Sequence, residues 1–422
     1  MHKRSFVFLQ GMPCLFFSRM GQELVARGHQ AGRIFLCFGD RFFWRGLPGE
    51  SYRGSLADWP AHFEQYALKN GITDLILLGE QRKYHREAIA VAHRLGIRVT
   101  ATDYGYLRPD WITLERDGMG GNSRLPRNPD EIRRYGSMQA MPDLARRYHD
   151  SDLNMAIGDL LYSFGNLLFS PFYPRYIRSD ERPHPIVYFP AEGIRLLTQR
   201  RRNTKARHQF KQIEASRKPY FVFPMQLEHD FQIVAYSRFR RLDNMLDELI
   251  LSFSQTPGDA LLIIKSHPWD TGLKNWRKRI DRIARHHGVA HRVVFLDGGN
   301  LDEMMAGSRG VVTVNSTSGI KALQQGRPVK ALGQAIYDIE GLTHQGPLDE
   351  FWENPVSPDP ALLDNFIALV AATVQIRGTH FTPGGMDAGA RSAAEQLCLD
   401  EKALAPWLRH RRSVPETTEH PT

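Results

Sequence analysis

The stretch LLIIKSHP, residues 261–268, decides the fold class of this chain. Four apolar residues predict a fully buried strand, and the polar residues of Lys265–Pro268 follow directly at its end. Residues 310–319, GVVTVNSTSG, have the same pattern. Buried strands that end in polar groups are typical of doubly wound, mostly parallel sheets, in which ligands bind beyond the carboxyl ends of the strands. The two stretches therefore predict an α/β protein.

Apolar runs alternate with helical stretches on both sides of this segment. The predicted strands are Ser5–Leu9, Arg33–Phe38, Asp74–Leu78 and Arg98–Thr102 in the first third, and Tyr220–Phe223, Ala260–Lys265, Arg292–Leu296, Gly310–Val314 and Pro328–Leu332 in the second half. This alternation indicates βαβ units. Because 422 residues exceed the ~250–300 residues of one core, two Rossmann-like domains are expected.

The predicted domain organisation is a GT-B-like fold, in which two Rossmann-like domains face a cleft and a helical insertion or linker connects them. The expected segments are an N-terminal Rossmann-like domain with a helical insertion (residues 1–190), a linker (191–218), a C-terminal Rossmann-like domain (219–380), a C-terminal helix that packs back on the first domain (381–412) and a tail (413–422).

Composition narrows the class of protein. Hydrophobic residues make up 42% of the chain and charged residues 24%, which is typical of a globular protein. The three cysteines are too few for a disulfide framework, so a reducing compartment is expected. No apolar run approaches the ~20 residues of a membrane span. The net charge of +9 favours anionic partners. For the basic cluster Arg195–Arg217, a solvated helix face is favoured over a membrane contact.

The strongest predicted site follows the strand of residues 261–264. Lys265 and His267 offer a cation and a donor to a phosphate, and Pro268 stiffens the turn. An incidental surface junction is the alternative. The second element is Asn315, Ser316, Thr317, Ser318 and Gly319, where hydroxyls and backbone N–H groups gather before a helix and could bind a phosphate. Simple helix capping explains these residues equally well.

Further strand ends supply weaker predictions. Gln226 and Asp230 follow the strand 220–223, where Gln226 could bind a base or a sugar hydroxyl. For Asp230, an acidic helix N-terminus that serves only the helix dipole is the alternative. In the first domain, Asp103, Gly105 and Arg108 follow the strand 98–102. A carboxylate, a close backbone approach and an arginine could there hold an acceptor hydroxyl and an anionic group.

Asp103 is the predicted catalytic carboxylate, as general base or nucleophile. Arg108 and His267 complete the predicted catalytic set. Gly11 and Glu80, which follow the first and third strands, are expected to bind substrate, although turn chemistry is an alternative for both. No metal site is predicted.

Several spaced motifs resemble those of bacterial capsule polysaccharide biosynthesis/export proteins of the KpsS type. The resemblance rests on Gln10-Gly11, Phe38-Gly39-Asp40, Tyr84-His85-Arg86, the run from Gly105 to Glu115, Gln226, Lys265 to Pro268 and Asn315 to Gly319. It covers most of the chain from the first strand to about residue 332. At the position of Asp103 such proteins usually have the longer glutamate.

The resemblance implies a Kdo transferase of GT-B type, which moves Kdo from CMP-Kdo to a lysophosphatidylglycerol-type lipid. CMP-Kdo is the donor substrate, and no cofactor is expected. The family's His-Pro motif falls on His267 and Pro268, which implies contact with CMP. The implied partners are this donor, the anionic lipid, the inner-membrane surface and capsule assembly proteins, at a cytoplasmic, peripheral location and without nucleic acid. A non-catalytic scaffold of the assembly and export complex, or a UDP-sugar epimerase of the same fold, is the alternative.

Overall fold

The structure is a computed structural model that describes residues 3–179, 182–228, 231–239 and 241–399. The chain divides into two compact units, which combine residues 1–125, 143–179 and 370–422 in the first and residues 126–142 and 180–369 in the second. Each unit is built around one sheet.

The first sheet has seven strands in the order β12-β6-β5-β4-β1-β2-β3. The strands are β1 (Ser5–Phe8), β2 (Gln30–Phe35), β3 (Gly49–Ser51), β4 (Asp74–Leu78), β5 (Arg98–Tyr104), β6 (Trp111–Arg116) and β12 (Gln375–Arg377). The first five are parallel, whereas β6 pairs antiparallel with both β5 and β12.

The second sheet has five parallel strands in the order β11-β10-β7-β8-β9. They are β7 (Tyr220–Pro224), β8 (Leu261–Lys265), β9 (Val293–Leu296), β10 (Gly310–Thr313) and β11 (Val329–Ala331). The predicted α/β class with two mostly parallel sheets is thereby confirmed. That the two domains face a cleft stays a prediction.

Helices occupy the connections between the strands. They are α1 (Phe16–Ala26), α2 (Phe38–Phe42), α3 (Trp59–Lys69), α4 (Lys83–Arg94), α5 (Pro129–Gly136), α6 (Asp152–Leu168), α7 (Pro185–Ser216), α8 (Phe231–Tyr236), α9 (Leu242–Ser254), α10 (Trp276–His286), α11 (Leu301–Ala306), α12 (Ser318–Gln324), α13 (Leu348–Glu353), α14 (Pro360–Val374) and α15 (Pro383–Cys398). Among the described residues, no helix is both long enough and apolar enough to span a bilayer.

The parallel strands are buried on both faces, which explains their continuous apolar sequences. In β1, Phe6 and Phe8 belong to one core cluster and Val7 to another, because successive side chains point to opposite faces. Complete burial of each such side chain contributes about 1.5–3 kcal/mol. The apolar sequences therefore fix the strands and leave the polar residues to the strand ends.

Several segments lie elsewhere than the sequence placed them. Residues 370–380, expected in the second domain, belong to the first unit, where β12 pairs with β6, and residues 182–190, expected in the first domain, belong to the second unit. Residues 126–142 belong to the second unit rather than to a first domain of residues 1–190. The cause is packing of α5 on α14, where a Cβ at Gly136 would lie 2.3 Å from the backbone oxygen of Asn365. The expected linker, 191–218, is part of the 32-residue helix α7. Helix α15 packs against α1 in the first unit, and residues 400–422, including the expected tail, lie outside the described residues.

Candidate functional site

Polar residues from neighbouring strands meet at one edge of the second sheet. Strands β10, β7, β8 and β9 are adjacent and parallel, so their carboxyl ends lie on the same edge. Gln226, Lys265–Pro268, Asp297 and Asn315–Gly319 follow these strands. The structure therefore brings together the predicted residues of the second unit, except Asp230, which lies outside the described residues.

Gln226 and Asn315 connect the ends of β7 and β10. The Gln226 Nε2 donates to Asn315 Oδ1 at 3.0 Å, and the backbone N–H of Asn315 donates to Gln226 Oε1 at 3.3 Å. Gln226 is buried. This reciprocal pair fixes the amide orientations and joins two of the predicted binding elements.

The turn after β8 orients Lys265 and His267. Lys265 is buried, and burial lowers the pKa of its ammonium, while the charges of Asp297 and Asp302 oppose that shift. The half-buried His267 accepts a hydrogen bond at Nδ1 from the backbone N–H of Trp269 at 3.1 Å. An accepting Nδ1 places the proton of the neutral ring on Nε2, which can donate to an anionic oxygen. The exposed Pro268 lies within the same turn.

Asp297 anchors this turn, and sequence reasoning missed it. Its carboxylate accepts two hydrogen bonds from Arg195, at 2.7 and 2.8 Å, one from Arg202 at 3.2 Å and one from the Ser266 hydroxyl at 2.9 Å. Burial alone would raise the pKa of Asp297, but hydrogen bonds from Arg195 and Ser266 and the charge of Arg202 lower it to about 2. Asp297 directly follows β9, so the strand-end criterion could have found it.

The partners of Asp297 correct the interpretation of two residues of the basic cluster, while Arg200, Arg201, Lys205 and Arg207 are exposed, as a solvated helix face requires. Arg195 and Arg202 lie on α7, and their side chains are 16% and 19% exposed. They are therefore not part of a solvated helix face, because a bidentate ion pair holds Arg195 against the second sheet. The sequence could not reveal this contact, since Arg195 and Asp297 are 102 residues apart.

The hydroxyl-rich turn after β10 is partly explained by capping. The Ser316 Oγ accepts from the backbone N–H of Ser318 at 3.2 Å and lies 3.0 Å from the Ser318 hydroxyl. A Cβ at Gly319 would lie 2.3 Å from the Tyr337 hydroxyl, so packing against Tyr337 requires glycine there. Thr317, at the N-cap of α12, makes no side-chain capping bond. The Ser316 hydroxyl thus binds a backbone N–H at the start of α12, as the capping alternative requires, and phosphate binding by this turn stays a prediction.

A cavity of about 230 Å³ lies beside Ser266 and Asp297. Arg195, Lys274 and Trp276 also line it. Typical sites for small molecules measure ~300–1,000 Å³. This cavity is therefore smaller than such sites, and Ser266 connects it to the turn that carries His267.

In the first unit, Asp103, Gly105 and Arg108 lie on the β5–β6 hairpin. Asp103 Oδ1 accepts a hydrogen bond from the backbone N–H of Tyr104 at 2.7 Å. The exposed Arg108 guanidinium stacks over the Tyr104 ring at 4.7 Å. A Cβ at Gly105 would lie 2.3 Å from the backbone oxygen of Trp111, so this glycine serves the hairpin itself. The close contact at Gly105 is therefore with the backbone of Trp111, and its close approach to a substrate stays a prediction.

Gly11 and Glu80 follow β1 and β4, which neighbour each other in the sheet. A Cβ at Gly11 would lie 2.6 Å from the Phe17 ring, so packing again accounts for the glycine. The buried Glu80 accepts a hydrogen bond from the backbone N–H of Met119 at 3.1 Å. Gly11 and Glu80 therefore follow adjacent strands, and Asp103 lies one residue before the end of the neighbouring β5, although each also has a structural role.

A buried carboxyl in the same unit was not predicted. Glu115 on β6 accepts hydrogen bonds from the hydroxyls of Tyr106, at 3.0 Å, and Ser123. Burial and the charge of Glu80 raise the pKa of Glu115 to about 7, although the two hydroxyls lower it in part. In the sequence, Glu115 stands out only as the last residue of the run from Gly105 to Glu115, because nothing in the pattern marks it as buried. Within the described ranges, no three histidine, cysteine or acidic residues are grouped as metal ligands.

Comparisons with known proteins agree with the motifs. A family model described as "Capsule polysaccharide biosynthesis protein" matches residues 73–381. The chain is 28% identical over 390 residues to the capsule polysaccharide export protein KpsS of Escherichia coli. The aligned region covers 90% of this chain and 97% of that protein. It is also 28% identical over 388 residues to the capsule polysaccharide modification protein LipB of Neisseria meningitidis serogroup B, which covers 89% of this chain and 91% of that protein.

Among solved structures, the chain is similar to Thermosulfurimonas dismutans KpsC, described as a beta Kdo 2,7 transferase. The identity is 14% and the TM-score 0.45, and the match covers 93% of this chain and 98% of the other.

Proposed function

The chain belongs to the capsule polysaccharide biosynthesis protein family, whose model spans residues 73–381, and we propose that it is a glycosyltransferase of capsule formation. The predicted resemblance to this family is confirmed. The observation that carries the proposal is the convergence of Gln226, Lys265, His267 and Asn315 at the carboxyl edge of the second sheet. Ligands of such sheets bind at that edge.

We propose CMP-Kdo as the donor and a lysophosphatidylglycerol-type lipid as the acceptor, with no further cofactor. Transfer from a CMP-sugar releases a phosphate monoester, whose negative charge Lys265 and the Nε2 proton of His267 can stabilise. The hydrogen bond at Nδ1 supports this role, because it keeps the His267 ring in one tautomer. The anchored Asp297 supports it too, because that carboxylate holds Ser266 beside His267.

Asp103 is the proposed catalytic carboxylate of the first unit. Its hydrogen bond from the Tyr104 N–H orients the carboxyl group, which is what a positioned general base or nucleophile needs. Arg108 is exposed on the same hairpin and could bind an anionic group. The proposed location is the cytoplasmic face of the inner membrane, where capsule assembly proteins would be the partners.

A transfer assay tests the proposed function. Purified protein is incubated with CMP-Kdo and a lysophosphatidylglycerol analogue, and mass spectrometry detects the Kdo-lipid and the released CMP. We expect a product that depends on both substrates. No transfer under varied conditions, with a folded protein, would favour the non-catalytic scaffold. In parallel calorimetry, CMP should bind more tightly than UDP, whereas a preference for UDP would favour the epimerase alternative.

A further inference from the structure

We propose that the outer face of helix α6, in the first unit, docks on an anionic lipid bilayer. This inference deepens the proposed function, because a transferase with a lipid acceptor must reach a membrane surface. It names a binding surface that is separate from the strand-end residues described above. Three observations support the proposal: one face of α6 is packed, the other is apolar and exposed, and arginines lie on both sides of the helix.

One face of α6 is closely packed against the first unit. A Cβ at Gly158 would lie 2.2 Å from the backbone oxygen of Pro13, and one at Gly165 would lie 2.9 Å from the Phe38 ring. The Tyr162 hydroxyl accepts a hydrogen bond from Gln10 Nε2 at 2.9 Å. Gly158, Tyr162 and Gly165 recur at helical spacing, so this face is the inner one.

The opposite face of α6 is apolar and exposed. It consists of Leu153, Ile157, Leu160, Leu161, Phe164 and Leu168, which share one side of the helix at intervals of three, four and seven residues. Leu153 and Leu168 are 69% and 72% exposed. A surface helix normally directs its apolar stripe toward the core and its polar residues toward water. Helix α6 does the reverse, and such contiguous apolar patches mark interaction sites.

Basic residues near α6 favour a membrane over a protein partner. Arg146 and Arg147 precede the helix, Arg175 and Arg178 follow it, and all four are exposed; Asp143 and Asp150 also precede it, and Arg147 pairs with Asp143. An apolar helix face flanked by cations binds at the interface of anionic bilayers, where the face enters the headgroup region. The two acidic residues of α6, Asp152 and Asp159, lie off the apolar face by helical period. The net charge of +9 acts in the same direction.

Vesicle binding by the full chain tests the proposed surface. The protein is mixed with vesicles of phosphatidylcholine and phosphatidylglycerol in equal amounts, and flotation measures the bound fraction. We expect binding that weakens in high salt and on pure phosphatidylcholine. The double variant Leu160→Gln, Leu168→Gln should lower the partition coefficient on the order of tenfold, because two apolar side chains no longer enter the bilayer.

The matched control is Leu68→Gln, Leu251→Gln. Leu160 and Leu168 are 45% and 72% exposed, and Leu251 and Leu68 are 43% and 65% exposed, so both pairs lose similar exposed apolar surface. The control should bind like wild type. Equal vesicle binding by the α6 variant and wild type would overturn the proposal. So would an α6-dependent dimer in sedimentation without vesicle binding, because the face would then join two copies.

The assay also separates this surface from the chemistry. With a short-chain, soluble acceptor analogue, the α6 variant should transfer Kdo at the wild-type rate. If no transfer occurs with any variant but vesicle binding depends on α6, the proposed reaction fails and the docking surface stands. If transfer occurs but the α6 variant binds vesicles as wild type does, the proposed reaction stands and the docking surface fails.

Discussion

The two sheets differ in how they use the residues at their carboxyl ends. In the second unit, side chains from different strands bind one another, as Gln226 does with Asn315 and Ser266 with Asp297. In the first unit, Asp103 and Glu80 accept hydrogen bonds from backbone N–H groups. Side chains that hold one another are pre-organised to bind a specific ligand, whereas a carboxylate oriented by a backbone N–H is positioned to act on one atom. This difference agrees with the proposed division, in which the second edge binds the nucleotide and the first carries the reacting carboxylate.

The largest expected effect separates catalysis from binding. Asp103→Asn should lower kcat by about 10²–10⁴-fold, because the amide can act neither as a general base nor as a nucleophile. The affinity for CMP, measured by calorimetry, should stay at the wild-type value. Asp387→Asn is the matched control, since that carboxylate is 51% exposed on α15 of the same unit. Nearly normal turnover of the Asp103 variant would remove this residue from the mechanism.

A smaller effect is expected at the second edge. His267→Ala should weaken CMP binding by about 10–150-fold, because a hydrogen bond to a charged group contributes about 1.5–3 kcal/mol. His286→Ala, an exposed change on α10, should leave the affinity unchanged. Titration calorimetry with CMP measures both variants. If the two histidine variants bind CMP equally well, the second edge does not bind the phosphate through His267.

The smallest expected effect concerns acid stability. Burial lowers the pKa of His85 and of His380, both in the first unit, to about 3. Each histidine is therefore protonated more easily in the unfolded chain, and its contribution to stability is lost as the pH falls from 6.5 toward 3. The raised pKa of Glu115, about 7, acts oppositely: its folded form gains stability as the pH falls from 7 to 4.5. Burial also lowers the pKa values of His29 and His62 in this unit, so the histidines outweigh the one carboxyl and the first unit loses stability as the pH falls from 6.5 to 4.5.

Hydrogen exchange measured by mass spectrometry checks this difference between the units. Peptides from β4 and α4 should lose protection below pH 6.5, before peptides from β8 and β9. In the second unit, the lowered pKa of Asp297 keeps its carboxylate ionised, so the stability it contributes is lost only as the pH falls from 3.8 to about 2. His380→Gln should reduce the loss in the first unit, while His286→Gln should not. Simultaneous loss of protection in both units would contradict the expected order.

Much of the fold could be predicted because strands that are buried on both faces have continuous apolar sequences. The predicted strand Asp74–Leu78 has the observed bounds, and the other predicted strands differ at their ends by a few residues. Strand β6 was missed because the run from Trp111 to Glu115 was interpreted only as a motif. Strand β12 has three residues, and its partner lies more than 250 residues away, so no local pattern indicates it.

The site was predicted less completely than the fold. Proximity to a strand end correctly grouped Gln226, Lys265 and Asn315, because parallel strands bring their carboxyl ends together. The same criterion cannot tell whether a glycine serves a ligand or a neighbouring ring, as Gly11 and Gly319 illustrate. It also cannot show a distant partner such as the arginine pair of α7 that holds Asp297.

The return of β12 to the first sheet also governs the order in which this protein can mature during synthesis. Every residue of the second unit leaves the ribosome before Gln375–Arg377, the strand that covers β6. Until then, β6 is an unpaired edge, and such edges invite pairing with other chains. A nascent or truncated chain that stops before residue 375 would therefore expose the edge of β6, which is prone to aggregation, in the first unit. The second unit, which ends at residue 369, could by then already be complete.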